Sequence, residues 1–353
     1  MKKIIKKINA FIIAALLAVA ICIPVSAETE DKDITVLFTH DLHSHFLPAV
    51  DETGEEYGGY ARLMTVINEQ KEKHPDAILV DGGDFAMGSL FQTAYASSAL
   101  ELRLMGAMGY DATTLGNHEF DYLPEGLASM LYAAQESGGN LPAIVNANYL
   151  PANDDEQMLK AFEAYGVEDY IVIERGGIYF VVFGIFGFDS DECAPNSGMI
   201  FEDPIAKAQE TVDKAVSYCK DTYNADPVVI CLSHSGTEKG EGEDYELAKG
   251  ANGIDVIVSG HTHTTIKEPI TVNETYIVSS GDYGRYLGVI ELDMTYDGTV
   301  ALDSYELIPV NDSVKDDERI ASLVESFKKD VEDNYLSKYG VFFDEVLVDN
   351  HIK

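Results

Sequence analysis

Short apolar runs alternate with longer amphipathic segments from about residue 34 onward. The short runs predict strands, and the segments with apolar positions three and four residues apart predict helices. The predicted strands are 34–38, 77–80, 111–115, 143–145, 178–186, 227–232, 254–258, 268–272, 275–279, 286–294, 299–308 and 341–348. The predicted helices are 60–73, 93–108, 123–135, 204–218 and 316–332.

The order of these elements indicates an α/β fold. Repeated strand–helix–strand units favour a largely parallel sheet with helices outside. The run 228–232 (VVICL) is apolar throughout, which is typical of a strand buried on both faces. The strand-rich stretch after residue 268 is expected to supply antiparallel strands to a second sheet.

The first 27 residues have the pattern of an export signal. Lysines at the start precede an apolar run over 11–23, and Val25-Ser26-Ala27 forms a small-residue cleavage site. The apolar run is too short to span a bilayer comfortably, although a retained anchor is the alternative. We expect a chain that is secreted, at the cell surface or in a periplasm, with no stable membrane insertion after cleavage.

Length and charge narrow the function further. The 353 residues are 46% hydrophobic, which suffices for one large α/β domain or two ordinary ones. With 24 Lys+Arg against 61 Asp+Glu, the formal net charge is −37. Such a surface repels nucleic acid, so we expect no nucleic-acid binding. An anionic small molecule would need a local cation to bind.

Cysteine usage does not indicate a disulfide framework. Cys193, Cys219 and Cys231 remain after the predicted cleavage, and an odd, sparse set is not typical of one. One pair could bridge in an oxidising compartment, and the sequence leaves the pairing open. Cys231 lies in an apolar strand, where a small buried hydrophobic residue is expected.

Potential ligands follow five of the predicted strands. Open α/β folds bind ligands at this carboxyl edge of the sheet. The candidate donors are Asp41, His43, Asp84, Asn117, His234, His261 and His263. Mixed imidazole and oxygen donors suit Mn, Fe, Co or Zn. Their number exceeds one tetrahedral zinc site and fits two divalent ions that share a bridging carboxylate.

Each motif alone also has an ordinary structural interpretation. Asp-x-His triplets occur by chance, and a single histidine after a strand is more often a hydrogen-bonded core or surface residue. His40, His45 and His74 are interpreted as bystanders, Asp81 as a residue that closes its strand, and Glu119 as a structural acid. The prediction depends on all five motifs occurring in order, each after a strand.

The set resembles the calcineurin-like metallophosphoesterases, and within them the bacterial 5′-nucleotidase, UDP-sugar hydrolase and 2′,3′-cyclic phosphodiesterase branch. The branch resemblance includes the segments 58–62 (GGYAR), 116–121 (GNHEFD) and 284–288 (GRYLG). It implies a four-layer α/β/β/α sandwich of two mixed sheets flanked by helices. The implied organisation is a signal peptide over 1–27, a catalytic domain over 28–312, a linker helix over 313–340, and the beginning of a C-terminal domain over 341–353.

The resemblance also implies the role of each candidate residue. Asp41, His43, Asp84 and His263 would bind one ion. Asp84, Asn117, His234 and His261 would bind the other, and a hydroxide bridging the two ions would attack the phosphate. The implied catalytic residues are Asn117, His118 and Asp121. His118, oriented by Asp121, would stabilise or protonate the leaving group. The alternative for Asp121 is a helix cap.

The expected substrate is a small-molecule phosphate ester, and a nucleotide is the first candidate. Alternatives on the same site are a cyclic nucleotide, a UDP-sugar or a sulfur compound. Two other classes are a binding protein that holds metal and phosphate without turnover, and a non-catalytic fragment that lacks its C-terminal specificity domain. The sequence leaves the native metal and the oligomeric state open.

Overall fold

A computed structural model of the chain describes residues 32–238, 240–295 and 298–347. The predicted export segment lies outside the described residues. The strands are β1 (Lys32–Thr39), β2 (Ala49–Val50), β3 (Glu56–Tyr57), β4 (Ile78–Asp81), β5 (Ala112–Thr113), β6 (Ala143–Ile144), β7 (Tyr149–Pro151), β8 (Tyr170–Arg175), β9 (Ile178–Phe186), β10 (Met199–Phe201), β11 (Val228–His234), β12 (Val256–Ser259), β13 (Ile270–Val272), β14 (Thr275–Val278), β15 (Tyr286–Met294) and β16 (Val300–Pro309).

Helices lie between and after the strands. They are α1 (Tyr60–Lys73), α2 (Tyr95–Ser98), α3 (Leu100–Met108), α4 (Leu123–Glu136), α5 (Glu156–Tyr165), α6 (Phe188–Cys193), α7 (Pro204–Tyr223), α8 (Glu243–Gly250) and α9 (Glu318–Asn334). Short 3-10 turns occur at Leu90–Ala94, Asn117–Phe120 and Leu336–Tyr339.

Twelve of the strands form two six-stranded mixed sheets. The first sheet has the order β16-β15-β1-β4-β5-β6, and the second has the order β13-β14-β12-β11-β9-β8. In the first sheet, β1, β4, β5 and β6 are parallel, and β15 pairs antiparallel with β1. In the second sheet, β9, β11, β12 and β14 are parallel. The parallel strands therefore end at a common edge in each sheet.

Three apolar clusters lie between the four layers of helices and sheets. Alternate residues of a strand point to opposite faces, so a strand between two layers is apolar on both. In β11, Ile230 and Leu232 pack between the two sheets, while Val229 and Cys231 pack under α7 and α8. On the other side, Leu37 of β1 joins the core beneath the helices of the first sheet. The expected α/β/β/α sandwich is confirmed.

The strands after residue 268 differ from the prediction in their placement. They do not all enter the second sheet, because β15 and β16 return to the first sheet and pair beside β1. Only β13 and β14 extend the second sheet. Pairing partners far apart in sequence are not visible in a local apolar pattern, so the mixed character of both sheets required the tertiary structure.

Two predicted elements are also corrected. The helix expected over 93–108 is divided, since Ala99 has a left-handed φ of 46° between α2 and α3. The buried Tyr95 hydroxyl donates to the Glu119 carbonyl, a tertiary contact that competes with a continuous helix. The strand expected over 341–348 does not form in its described part, 341–347, where no described strand pairs with it.

The helix expected over 316–332 forms as α9 and packs against the first sheet and its helices. Asp317 accepts from the Ile320 amide at its first turn, and Ile320, Val324 and Phe327 enter the core of the first sheet. Within the described ranges, no helix has the length and apolar character needed to cross a bilayer. Cys193, Cys219 and Cys231 are free, and Cys231 is fully buried as expected.

Candidate metal centre

The seven predicted donors lie in five loops at the carboxyl ends of strands from both sheets. The loops after β1, β4 and β5 carry four of them, and the end of β11 and the loop after β12 carry three. The first sheet contributes Asp41, His43, Asp84 and Asn117, and the second contributes His234, His261 and His263. The structure brings all seven together.

One group of donors surrounds Asp41. Its Oδ1 lies 3.4 Å from His263 Nε2 and 3.7 Å from His43 Nε2, and the two imidazole nitrogens are 3.0 Å apart. The ligand atoms of these three residues all lie within 4.8 Å of one another. Burial raises the pKa of Asp41, but hydrogen bonds from the histidines, with His263 first, outweigh burial and hold it well below its usual value.

A second group surrounds Asp84. Asp84 Oδ2 lies 3.1 Å from His234 Nε2 and 3.8 Å from His43 Nε2, so this carboxylate faces both groups. The ligand atoms of Asp84, His234 and His261 lie within 4.8 Å of one another. His261 Nδ1 is 2.9 Å from Asn117 Oδ1, which adds an amide oxygen to this group.

The buried His234 ring tests whether this set fits a metal ion. Its Nδ1 is 2.9 Å from the Gly82 carbonyl and donates to it, so Nε2 is the ring nitrogen that faces the centre. Nε2 is buried 3.1 Å from Asp84 Oδ2, without the geometry of a hydrogen bond. A buried imidazole nitrogen that faces a buried carboxylate in this way fits a divalent cation, which both groups can bind.

The electrostatics of the centre agree with that fit. Burial lowers the pKa of His234, but the nearby charges of Asp84 and Asp41 outweigh burial and raise it to about 10. The pKa of His263 also rises to about 10, because hydrogen bonds to Asp282 and Asp41 outweigh its burial. Buried carboxylates that draw protons onto facing imidazoles form a site that also favours a cation, which would replace those protons.

The backbone at the centre is strained. Asp41, Asp84 and His263 have φ values of 50°, 51° and 54°, and His43 and His261 are also left-handed, at 47° and 75°. Residues other than glycine rarely adopt these values, which cost about 1–3 kcal/mol each and persist only where the surrounding structure enforces them. Five of the seven donors share this conformation, which is characteristic of functional sites.

Two glycines of the motifs are required by close approach. A Cβ on Gly116 would collide with Asp84 Oδ1, and a Cβ on Gly260 would lie 2.7 Å from the Gly82 carbonyl oxygen. Gly116 thus lets the loop after β5 approach the loop after β4 within the first sheet, and Gly260 lets the loop after β12 of the second sheet approach that same loop.

His118 and Asp121 form a pair at the rim of the centre. His118 Nδ1 is 2.8 Å from Asp121 Oδ2, and the His118 amide donates to Asp84 Oδ1 at 2.9 Å. The His118 side chain is 41% exposed, so a ligand can reach it. The helix-cap alternative for Asp121 is wrong, because Tyr122 occupies the N-cap position of α4 and no side chain caps that helix.

Two acids near the centre have structural partners, as the sequence predicted. Glu119 accepts from the amides of Asp84, Ala86 and Gly116, which ties the loops after β4 and β5 together. Asp81 accepts from Thr39 Oγ1 and Thr113 Oγ1 across neighbouring strands. Burial raises the pKa of Asp81 to about 7.

Three contacts of the centre were missed by the sequence analysis. His40, interpreted as a bystander, is fully buried with Nδ1 2.5 Å from Asp41 Oδ2, and its Nε2 accepts from the Ser280 amide. Asp189 lies 2.7 Å from His261 Nε2, and Asp282 lies 3.3 Å from His263 Nδ1. Of these three contacts, the sequence showed only that His40 is adjacent to Asp41.

Comparisons with known proteins show which family the chain belongs to. The calcineurin-like phosphoesterase family matches residues 34–265. The trifunctional nucleotide phosphoesterase protein YfkN of Bacillus subtilis is 31% identical over 339 residues, which cover 87% of this chain and 21% of that protein. The 5′-nucleotidase of Rattus norvegicus is 29% identical over 358 residues, covering 91% of this chain and 56% of that protein.

A solved structure shows the same fold. The 5′-nucleotidase precursor from Thermus thermophilus superposes with a TM-score of 0.72 at 23% identity, covering 86% of this chain and 59% of that one. This chain therefore spans only part of the length of these relatives. The family match extends from β1 to the histidines after β12 and so includes every predicted donor. The chain belongs to the calcineurin-like phosphoesterase family.

Proposed function

We propose that the chain is an exported phosphoesterase of the 5′-nucleotidase kind that hydrolyses small phosphate esters with two divalent metal ions. The observation that carries the proposal is the convergence of seven donors from five loops into two adjoining groups, one at Asp41 and the other at Asp84 and the buried His234. Relatives named as a nucleotide phosphoesterase and a 5′-nucleotidase support nucleotides as the substrate class.

The donors divide into two sets that share Asp84. We assign one ion to Asp41, His43, Asp84 and His263, and the other to Asp84, Asn117, His234 and His261. Mixed nitrogen and oxygen donors favour Mn, Zn, Co or Fe. When bound, two such ions would acidify a water and polarise the phosphoryl oxygens.

The chain itself supplies the group that meets the leaving oxygen. Asp121 holds His118 through Nδ1, and the 41% exposed His118 side chain lies at the edge of the centre, with its ring 5.1 Å from the His43 ring. A proton donated by His118 would neutralise the alkoxide of the leaving group as the ester bond breaks. Asn117, next to it in the chain, contributes its amide oxygen to the second set of donors.

The overall charge gives a second reason for cations at this edge. A chain of net charge −37 repels a phosphate ester, so binding needs local positive charge. The imidazoles of the centre and the proposed ions supply it. We further propose that residues 1–27 direct export and that residues 28–312 form the catalytic domain.

The test is phosphate release from AMP by residues 28–353. The protein is stripped with a chelator and then resupplied with Mn²⁺, Co²⁺ or Zn²⁺ in separate reactions. We expect no release from the stripped protein and restored release with at least one metal. Parallel reactions with 2′,3′-cyclic AMP and UDP-glucose, in which chromatography measures the AMP, or the UMP and glucose 1-phosphate, that hydrolysis forms, identify the preferred ester.

A folded protein that binds two ions yet hydrolyses none of these three compounds would contradict the proposal. That result would instead indicate a protein that binds metal and phosphate without turnover.

A further inference from the structure

Every histidine among the donors has its second ring nitrogen next to an oxygen from outside the donor set. Two of these oxygens are backbone carbonyls and two are carboxylates. The pairs are His43 with the Ala86 carbonyl at 3.2 Å, His234 with the Gly82 carbonyl at 2.9 Å, His261 with Asp189 at 2.7 Å, and His263 with Asp282 at 3.3 Å. The two carboxylates serve the two histidines of the loop after β12.

These two histidines belong to different proposed ions. His261 faces Asn117 through Nδ1 and donates from Nε2 to Asp189, while His263 faces Asp41 through Nε2 and Asp282 through Nδ1. Each ring therefore presents one nitrogen to the centre and the other to a carboxylate. Asp189 therefore contacts a histidine of the second set of donors, and Asp282 contacts a histidine of the first set.

Asp189 is fixed by the strand that carries the other histidine of its set. The Gly187 amide and the Ser190 hydroxyl both donate to the His234 carbonyl, at 3.0 Å and 2.6 Å. Glu243, at the start of α8, accepts from the amides of Phe188 and Asp189. The first turn of α6 is thereby held at the end of β11, with the exposed Asp189 carboxylate 2.7 Å from His261 Nε2.

Asp282 is fixed in an equivalent way to the other set. The amide of Tyr283 donates to the Asp41 carbonyl at 2.8 Å, and the amide of Gly281 donates to the Thr264 carbonyl at 3.1 Å. The loop after β14 is thereby tied to the backbone of a donor of the first set.

We propose that Asp189 and Asp282 are positioning residues that separately set the affinities of the two metal positions. A carboxylate that accepts from a ligand histidine fixes its tautomer and ring orientation and makes the other nitrogen a stronger donor. The inference rests on the proposed two-metal centre and adds to it that each ion has its own outer carboxylate. The two ions can then be tuned independently.

Titration calorimetry with Mn²⁺ on chelator-treated protein tests this inference. The variants are Asp189→Asn and Asp282→Asn, which keep the shape and an acceptor oxygen but remove the charge. We expect each variant to raise the Kd of one of the two binding steps by about 10- to 100-fold and to leave the other step unchanged. The two variants must affect different steps, and the double variant must weaken both.

Each variant is the matched control of the other, because both remove one negative charge near the same centre. The exposed Glu192→Gln, on the same short helix as Asp189, is expected to change neither step. If both variants weaken both steps equally, the effect is general loss of charge and the inference is overturned. It is also overturned if neither step changes.

A structural role would give a different pattern from a positioning role. It would lower the unfolding temperature of the metal-free protein and weaken both steps together, whereas we expect metal-free Asp189→Asn to unfold at the wild-type temperature. Wild-type protein that fails to bind two ions would instead contradict the proposed two-metal function on which the inference rests.

Discussion

The two sheets contribute different parts of the candidate centre. The loops of the first sheet supply every oxygen donor and the His118–Asp121 pair, and the second sheet supplies three imidazoles. The first-sheet loops are held by buried acids, such as Glu119 with three backbone amides. The second-sheet histidines are oriented partly from the first sheet, since His234 donates to the Gly82 carbonyl and the His261 amide donates to Asp41.

This difference indicates how the centre assembles. The first-sheet loops contact one another directly, whereas the histidines of the second sheet are joined to them across the apolar layer between the sheets. The centre therefore depends on sheet packing as well as on the donors.

Asp84→Ala has the largest expected effect, because Asp84 faces donors from both sheets. We expect the variant to bind neither ion and to show no detectable turnover. This loss of metal affinity exceeds the roughly 100-fold that is typical when a residue contacting a metal ligand is replaced. Metal content by mass spectrometry after desalting measures it. Asp81→Asn, which removes a buried charge three residues earlier, is the control and should keep both ions. Retention of two ions by Asp84→Ala would refute the bridging assignment.

His118→Ala removes a residue that belongs to the first-sheet loops and is not one of the proposed metal ligands. We expect turnover of AMP to fall by about two to four orders of magnitude, as for loss of a general acid, while both ions remain bound. Steady-state rates and metal content measure the two effects separately. The control is His74→Ala, which removes a histidine that is paired with Glu291 away from the centre. Wild-type rates in His118→Ala would disprove the assigned role.

Glu101→Gln has the smallest expected effect and concerns the support of the first-sheet loop after β1. Ser44 Oγ donates to Glu101 Oε1, and burial raises the pKa of Glu101 to about 7. In the unfolded chain that pKa returns to about 4.3. The folded state thus binds more protons between these values, so the free energy of unfolding falls as the pH rises from about 4 to 7 and then levels off.

Glutamine is neutral throughout this range, so the variant does not undergo this pH-dependent loss of stability. Between pH 5 and pH 8 we expect the free energy of unfolding of Glu101→Gln to fall by about 1–3 kcal/mol less than that of wild type, measured by urea unfolding of metal-free protein. The exposed Glu136→Gln should behave as wild type. Equal pH dependence in Glu101→Gln and wild type would show that Glu101 does not titrate in this range.

Much of the fold could be predicted from the sequence because its strands are buried on both faces. Continuous apolar runs such as β11 and β9 were located within two residues of their observed bounds. Short elements such as α6, α8 and the edge strand β8 were not predicted, because six to eight residues of mixed polarity carry little periodic signal. The division of the late strands between two sheets depends on pairing partners distant in sequence.

The donors of the site were predictable from motif order, but their supports were not. Asp41, His234 and His263 follow strands in a recognisable pattern. Asp189 and Asp282 lie in segments without a motif and approach their histidines only after the chain has folded. His40 is adjacent to Asp41 in sequence, yet its contact depends on a ring orientation that Ser280 fixes from the other side of the centre.

The most direct test of the two-metal centre is anomalous X-ray diffraction from crystals of the chain grown with Mn²⁺ or Zn²⁺. We expect two anomalous peaks on either side of Asp84, one beside Asp41 and His263 and the other beside His234 and Asn117. A single peak, or peaks away from these residues, would contradict the proposed centre.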